Sequence, residues 1–483
     1  VPADDEWHAL NVLVAHGYGW IFSHFGTADH CIPLTLLYKL MASAGLLGEV
    51  SFRLPQVLSG MGLILAGGVL VRRLVDPATG NAFALLLAVS PLLVYYSRYA
   101  RPYGLVAFFT LVALAAFHLW WEGQGNRWGF LYWACSVGAA WCHLAMVPAV
   151  LAPLPWAFLA RRAAADSSIR PGRKGLAGLG TATLLALLLL MALPMAVDHD
   201  SILGKSGTEE VRLGAVLAAG YLFSGGGSPW FFILWSLGCT AGAGLCLRRH
   251  PGPARLFLVS LVCQAAAIGV AGAVGIGVPI VLARYAIPIL PIALLFLARS
   301  LATLDLLLCR PLPGVAAGPV TVAVAGILLL IGPIPRTCYR PNNWTNHALF
   351  QYYHDYVNNP YFHTLAPTRI PPFYHELAAL PPGSRVLVEA PWRYEWHFIN
   401  QPFFQYVHRQ RVLVGAAAGL RVGSGYSSID DKLQLGFRTL VSLEDEEDLR
   451  RRGATHIVIH KRPRREIPSP LFPFQGETRG IEE

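Results

Sequence analysis

The sequence predicts a mainly α, polytopic transmembrane helical bundle with a C-terminal extracytoplasmic α/β domain. Three observations carry this. Of the 483 residues 54% are hydrophobic and only 14% charged, with a mean hydropathy of +0.46, where a soluble domain has roughly 25% charged residues. Apolar runs long enough to cross a bilayer recur up to about residue 334, with basic residues gathered at their ends. After residue 335 charged residues, Pro and His rise, and the apolar runs shrink to strand length.

Taken in order, residues 1–53 form a first extracytoplasmic loop with interfacial helices. Trp7, Leu10, Val14, Tyr18, Ile21 and Phe25 recur at helical spacing, as in an amphipathic helix lying in the membrane interface. His30-Cys31-Ile32-Pro33 leads into Leu34–Leu47, which is too short to span comfortably and reads as interfacial or re-entrant. The transmembrane domain, 54–334, offers spans at 54–71, 82–97, 103–121, 176–197, 228–247, 256–283, 285–303 and 315–334. The 33 uncharged residues 128–160 are broken by Pro148, Pro153 and Pro155 and read as two short helices with His143 near the turn. That makes about ten spans. The 256–283 run exceeds one span, and its Gly-rich end is expected to leave the membrane.

Arg72, Arg73, Arg127, the Arg161–Lys174 loop, Arg248, Arg249 and Arg310 fall in alternate loops, so these loops are expected to be cytoplasmic. Both the start of the chain and residues 335–483 then lie outside the cytoplasm. The chain begins at Val1 rather than Met, so a preceding segment is expected; one more span there would give about eleven and a cytoplasmic N-terminus. In the C-terminal domain Arg385–Glu389, Arg411–Val414 and Thr455–His460 read as strands, Tyr394–His408 and Leu443–Arg452 as helices, and Leu380–Gly383 as the turn into the first strand.

The net charge of +10 is accounted for by the loop arginines, and no nucleic-acid partner is implied. The eight cysteines show no C-x-x-C pair or zinc spacing, which argues against a disulfide framework. GxGxxG, Walker and H-E-x-x-H patterns are absent.

Three places could carry chemistry. Asp4, Asp5 and Glu6 stand just outside the membrane; they serve either as a helix cap and dipole partners or as a general base and acceptor clamp. Tyr95-Tyr96-Ser97-Arg98-Tyr99-Ala100-Arg101-Pro102-Tyr103 is a tight outer loop. Its arginines suit an anionic lipid phosphate, the alternative being snorkelling arginines in an aromatic belt. Arg284-Tyr285, followed by Pro288 and Pro291, lies at the same membrane edge and is either an anchor or a second phosphate ligand. His143 near an outer turn is a weaker candidate, and a lone membrane histidine is usually a buried hydrogen-bonding residue.

In this order, acids, His30-x-x-Pro33, Phe52-Arg53-Leu54-Pro55, Ala100-Arg101-Pro102-Tyr103, a His-bearing short-span pair and Arg284-Tyr285 before a Pro-rich span, the chain resembles the GT-C superfamily of polytopic membrane glycosyltransferases. The type is that of protein O-mannosyltransferases and lipid A aminoarabinose transferases. Arg-Leu-Pro followed some forty-odd residues later by Ala-Arg-Pro-Tyr is the most specific element, and the likeness covers about residues 1–335.

The resemblance implies a sugar moved from a polyprenyl-phosphate donor to a hydroxyl of a protein, lipid or glycan on the outer face, most simply by one inverting displacement. The setting it implies is a bacterial inner (plasma) membrane. The family's acidic pair maps onto Asp5 and Glu6 as catalytic residues. Arg101 and Arg284, with Arg98 and Tyr103, would hold the donor phosphate; Asp4, His30 and His143 would bind substrate. Asp4 adds a third acid, and His30-Cys31-Ile32-Pro33 replaces the more usual His-Pro-Pro start. No cofactor is certain: the family includes both metal-independent members and members with bound ions, which leaves a divalent metal ion open. A lipid or sugar transporter or flippase, or a non-catalytic membrane scaffold, would share the polytopic pattern. A transporter should show intramembrane charges or broken helices in paired halves.

Overall fold

The computed structural model describes residues 7–26, 31–163, 171–203, 213–225, 229–271, 279–308, 317–331, 371–390, 401–416, 440–443 and 445–459. Two short helices, α1 (Trp7–Ala15) and α2 (Tyr18–Ser23), replace the single amphipathic helix expected there. The break falls at His16-Gly17, where Gly17 is extended. α3 (Ile32–Ser43) is the short apolar helix expected after Pro33.

The bundle continues through α4 (Glu49–Leu74), α5 (Pro77–Val89), α6 (Pro91–Tyr96), α7 (Tyr103–Trp121) and α8 (Asn126–Cys142). A 3-10 turn, Leu144–Met146, leads to α9 (Val147–Leu151) and α10 (Pro153–Ala163). Then come α11 (Arg173–Leu203), α12 (Leu213–Ser224), α13 (Pro229–Arg249), α14 (Pro251–Ala271) and α15 (Pro279–Ala286). A second 3-10 turn, Ile287–Ile289, joins α15 to α16 (Leu290–Leu308), and α17 (Pro319–Ile331) closes the described part of the bundle.

Among the described residues seven helical stretches are long and apolar enough to cross a membrane. Together with the shorter α5, α8 and α17 they occupy the ten expected positions. The expected span 82–97 is divided at Ser90-Pro91, because Pro91 offers no N–H to carry the α5 ladder onward. α12 was not expected. Its 12 residues cover only about 18 Å at helical rise, too little for a span, so its apolar pattern carried no membrane signal.

α7 is the central helix: 83% of its apolar window is buried, against 11% for α13, which turns its apolar face outward. α7, α5 and α16 supply about half of the main core. Without a hydrophobic force between helices in lipid, close packing at small residues holds the bundle together. A Cβ on Gly68 would meet Ala84 of α5, and one on Gly242 of α13 would overlap the Phe296 carbonyl of α16.

Polar groups mark the two ends of the bundle. At one end Arg73 donates to Gln124 at 3.0 Å and lies over Trp128. Near the same end Asp76 caps α5 through Thr79 N–H at 2.8 Å and pairs with buried Arg299 of α16. The buried Asp305 caps α17, accepting from Val320 N–H at 2.7 Å and Thr321 Oγ1 at 2.6 Å. At the other end Asp198 accepts from Gly26 N–H at 2.9 Å and from Ser201 Oγ at 2.6 Å, tying the first loop to α11.

The C-terminal region holds a four-stranded parallel sheet in the order β3-β2-β1-β4, with β1 Val386–Ala390, β2 Arg411–Ala416, β3 Leu440–Ser442 and β4 His456–Ile459. Three strands and both helices expected there are present, the helices over Gln401–His408 and Glu446–Arg451 among the described residues; 394–400 of the first expected helix lie outside them. β3 and the helix Pro372–Ala378 were not expected; β3 has three residues, too few for an alternation to register. Tyr374, Leu377, Leu387 and Phe404 pack on one side of the sheet, and the fully buried Glu389 accepts from Tyr374 Oη at 2.9 Å on both oxygens.

Candidate functional site

The site is built where four helix ends meet. α6 ends at Tyr96, and the chain turns through Ser97–Pro102 before α7 begins at Tyr103. Arg101 N–H donates to Tyr99 O at 2.6 Å, which keeps the turn tight. The tyrosines of this loop form one cluster: Tyr95 stacks on Tyr99 at 5.0 Å, and Tyr96 meets Tyr95 and Tyr103 edge to face at 4.8 and 4.9 Å. All four are buried. They are an internal wall and not an aromatic belt against lipid. Gly104 is required by this packing, since a Cβ there would lie 2.9 Å from the Tyr96 carbonyl oxygen.

Arg101 is 7% exposed, so it does not snorkel. Arg98, three residues earlier, is exposed. The loop thus presents one arginine inside and one outside.

α8 stops at Cys142 because His143 turns extended, at φ −160° and ψ 111°. His143 Nδ1 accepts from Ala145 N–H at 3.3 Å and so caps the following 3-10 turn. Its ring lies 5.6 Å from that of Tyr103 and 5.5 Å, at 90°, from that of Tyr285. Arg284, in the last turn of α15, places its guanidinium carbon 6.0 Å from the centre of the Tyr103 ring, within cation–π reach. Tyr103, His143, Arg284 and Tyr285, far apart in sequence, therefore meet at one place, with Arg101 two residues from Tyr103.

Cys31 opens α3 at φ 62° and ψ 91°, a left-handed backbone that costs a non-glycine residue on the order of 1–3 kcal/mol. It is buried with Tyr38, Phe52 and Ala100, which joins α3 and the Phe52–Pro55 motif to the arginine loop. Fully buried Gln56 donates to Tyr38 Oη at 3.0 Å beside them.

Asp4, Asp5, Glu6 and His30 lie outside the described residues. Among the described residues no group of three or more His, Cys, Asp or Glu could hold a metal ion. Two residues of this end were missed in the sequence. Gln264, in the middle of α14, donates to the Ala145 carbonyl at 2.9 Å; a polar side chain inside an otherwise apolar span was the available signal. Asp198, one residue beyond the expected span 176–197, was the other.

No family model matches the chain, and no curated protein matches it. Solved structures do. The chain is similar to the apo structure of ArnT from Cupriavidus metallidurans, with a TM-score of 0.52 and 15% identity, over 93% of this chain and 90% of that one. It is equally similar to the structure of the same protein bound to undecaprenyl phosphate, with a TM-score of 0.53 and 14% identity, over 93% and 87%. ArnT is a lipid A aminoarabinose transferase of the GT-C family. At this identity the likeness shows the fold alone: an ArnT-like polytopic helical bundle with a small parallel sheet.

Proposed function

We propose that the chain is a membrane glycosyltransferase that takes a sugar from a polyprenyl-phosphate donor and passes it to a hydroxyl of a protein, lipid or glycan acceptor. The observation that carries this reading is the meeting of Arg284, Tyr103, His143 and Tyr285 beside buried Arg101, in a fold shared with a transferase that has been seen with undecaprenyl phosphate. A phosphate leaving group needs its charge stabilised as the glycosidic bond breaks, and preorganised arginines in a water-poor site supply that. Arg101 and Arg284 hold the phosphate, Tyr103 braces Arg284, and Arg98 meets the donor at the exposed rim.

The acceptor hydroxyl is a weak nucleophile and needs a base aligned behind the anomeric carbon. Asp5 takes that role, with Glu6 in support and Asp4 and His30 on the substrate. One carboxylate is enough for a single inverting displacement: the acceptor oxygen bonds to the anomeric carbon, the phosphate oxygen leaves, and the acceptor proton passes to Asp5. The loop-arginine pattern supports an extracytoplasmic position for this end of the bundle and for the α/β domain, and the resemblance supports a bacterial inner membrane as the setting.

The test is to incubate the full-length protein in lipid with a panel of polyprenyl-phosphate sugars and acceptor lipids. Release of free polyprenyl phosphate is followed by mass spectrometry, with Asp5→Asn beside it. Release from one donor that is lost in the variant supports the reading. Normal turnover by well-folded Asp5→Asn removes Asp5 as the base, and no release with any donor and acceptor removes the transferase reading.

A further inference from the structure

We infer that Gln264 is a positioning residue for the donor phosphate: through the Ala145 carbonyl it holds the 3-10 turn that keeps His143 in the tautomer protonated on Nε2. The inference rests on the donor-phosphate reading above and assigns two roles within that site. His143 is a neutral N–H donor to the phosphate, and Gln264 acts only through His143.

The chain breaks between α8 and α9, and Pro148, at the first turn of α9, has no N–H to offer the carbonyl of Leu144. A short 3-10 turn in such a place is weakly determined by its own hydrogen bonds. Two contacts fix it. Ala145 N–H donates to His143 Nδ1 at 3.3 Å, and Gln264 Nε2 donates to Ala145 O at 2.9 Å. α14, which carries Gln264, packs against α7, α9 and both 3-10 turns, so it links the His143 side of the site to the Arg284 side.

Gln264 is fully buried, and its Oε1 has no hydrogen-bond partner among the described residues. An unpaired buried amide oxygen destabilises, and a leucine would avoid it. Among the described residues the bond to Ala145 is the one that sets this amide apart from a leucine of similar size.

The consequence for His143 follows from its ring chemistry. A neutral imidazole has one donor and one acceptor nitrogen. With Nδ1 accepting from the backbone, Nε2 must carry the proton. A ring held between Tyr103 and Tyr285, with Arg284 over the same Tyr103 ring, then offers a fixed N–H within the cluster that holds the guanidinium. If the turn loosens, Nδ1 loses its partner and the two tautomers mix.

The experiment uses the full chain in lipid nanodiscs, with nitrogen-15 in its histidines only. Solid-state spectra are recorded without any ligand, and the His143 signal is identified by its loss in His143→Gln. The wild type should show Nδ1 as a bare acceptor nitrogen and Nε2 as the protonated one. Gln264→Met, similar in length but without a donor, should show mixed tautomers and about tenfold weaker binding of undecaprenyl phosphate, as for a charge-assisted bond. His143→Gln carries an amide N–H at the reach of Nε2 and should bind within a few-fold of wild type. His143→Asn reaches only as far as Nδ1 and should lose about tenfold.

A proton on Nδ1 in the wild type overturns the inference whatever the variants do. So does an unchanged tautomer with unchanged binding in Gln264→Met, or equal losses in His143→Gln and His143→Asn. The wild-type spectrum and the His143 pair decide the role of His143 even if Gln264→Met does not fold; Gln264→Asn, whose amide is one methylene too short for the Ala145 carbonyl, then tests the hold of Gln264 with the same readouts, and an unchanged tautomer with unchanged binding there overturns it. The spectrum needs no substrate: the expected tautomer in a protein that binds no polyprenyl phosphate would sink the donor reading, and with it the phosphate role of His143, but not the hold of Gln264 on the turn.

Discussion

The guanidinium carbon of Arg284 stands 6.0 Å from the centre of the Tyr103 ring, a contact that joins the end of α15 to the start of α7. Tyr103 is itself wedged against Tyr96 at 4.9 Å, so the arginine rests on a fixed surface. A cation set in advance against a rigid wall costs little reorganisation when charge develops on a leaving phosphate.

The first prediction concerns this arginine. Arg284→Gln should lower turnover by about 10²–10³, the usual effect of removing one preorganised donor at a developing oxyanion. Arg284→Lys should recover only part, because an ammonium reproduces neither the planar fork nor its fit to an aromatic face. Steady-state release of polyprenyl phosphate checks both. A lysine variant with full activity would mean that charge alone matters at this position.

A second prediction concerns the opposite end. Arg299 is buried and pairs with Asp76, while Asp76 also caps α5 through Thr79. Arg299→Met should destabilise by about 1–3 kcal/mol, because it removes a charge-assisted bond whose remaining partner, Asp76, is only partly buried. Combining it with Asp76→Asn should recover part of that loss. Unfolding of the four proteins in one detergent, analysed as a double-mutant cycle, gives the coupling; additive losses would show that the pair does not act as a unit.

Two glycines on one helix give a third. A Cβ on Gly242 would overlap the Phe296 carbonyl, whereas one on Gly244 meets nothing within 4 Å. Gly242→Ala should push α13 from α16 and lower the melting temperature. Gly244→Ala should be neutral or stabilising, since alanine is the better helix former by about 1 kcal/mol. Equal melting temperatures for the two would contradict the close approach of α13 and α16.

The fourth concerns pH. His408 lies in the core of the α/β domain, with Nδ1 accepting from Gln410 N–H at 3.0 Å. Burial holds its pKa below the ordinary value, and the nearby Glu389 only partly offsets this. A histidine with a depressed folded pKa contributes its full stability above its unfolded pKa of about 6.5. That contribution is lost progressively as pH falls below this value toward the folded pKa. Hydrogen exchange of β1 in the full chain, corrected for intrinsic rate, should therefore rise between pH 7.5 and 5.5. In His408→Asn the rise should be smaller; an identical rise would assign the pH dependence to another group.

The bundle was legible because bilayer thickness dictates length: α7, α11 and α13 follow from uninterrupted apolar runs alone. α12 was not, because its 12 residues fall below any span. The break between α1 and α2 was hidden because Gly17 interrupts an apolar pattern without changing its period. In the site, Arg101, Arg284, Tyr103 and His143 stood out as polar groups at span ends, but nothing local said that they share one place. That depends on how α7, α8 and α15 cross, which is decided by contacts such as Gly129 of α8 on Trp120 of α7. Gln264 is visible in the sequence only as a polar residue within an apolar span, because its partner is a backbone carbonyl that has no sequence signature.

The central claim is that this end of the bundle seats a polyprenyl phosphate. The most direct test is native mass spectrometry of the full-length protein in nanodiscs titrated with undecaprenyl phosphate. Arg101→Gln and Arg284→Gln are compared with Arg248→Gln, an exposed arginine at the end of α13. The account predicts binding by the wild type and by Arg248→Gln, with at least tenfold weaker binding in each of the other two. Equal binding in all four proteins, or none by the wild type, would contradict it.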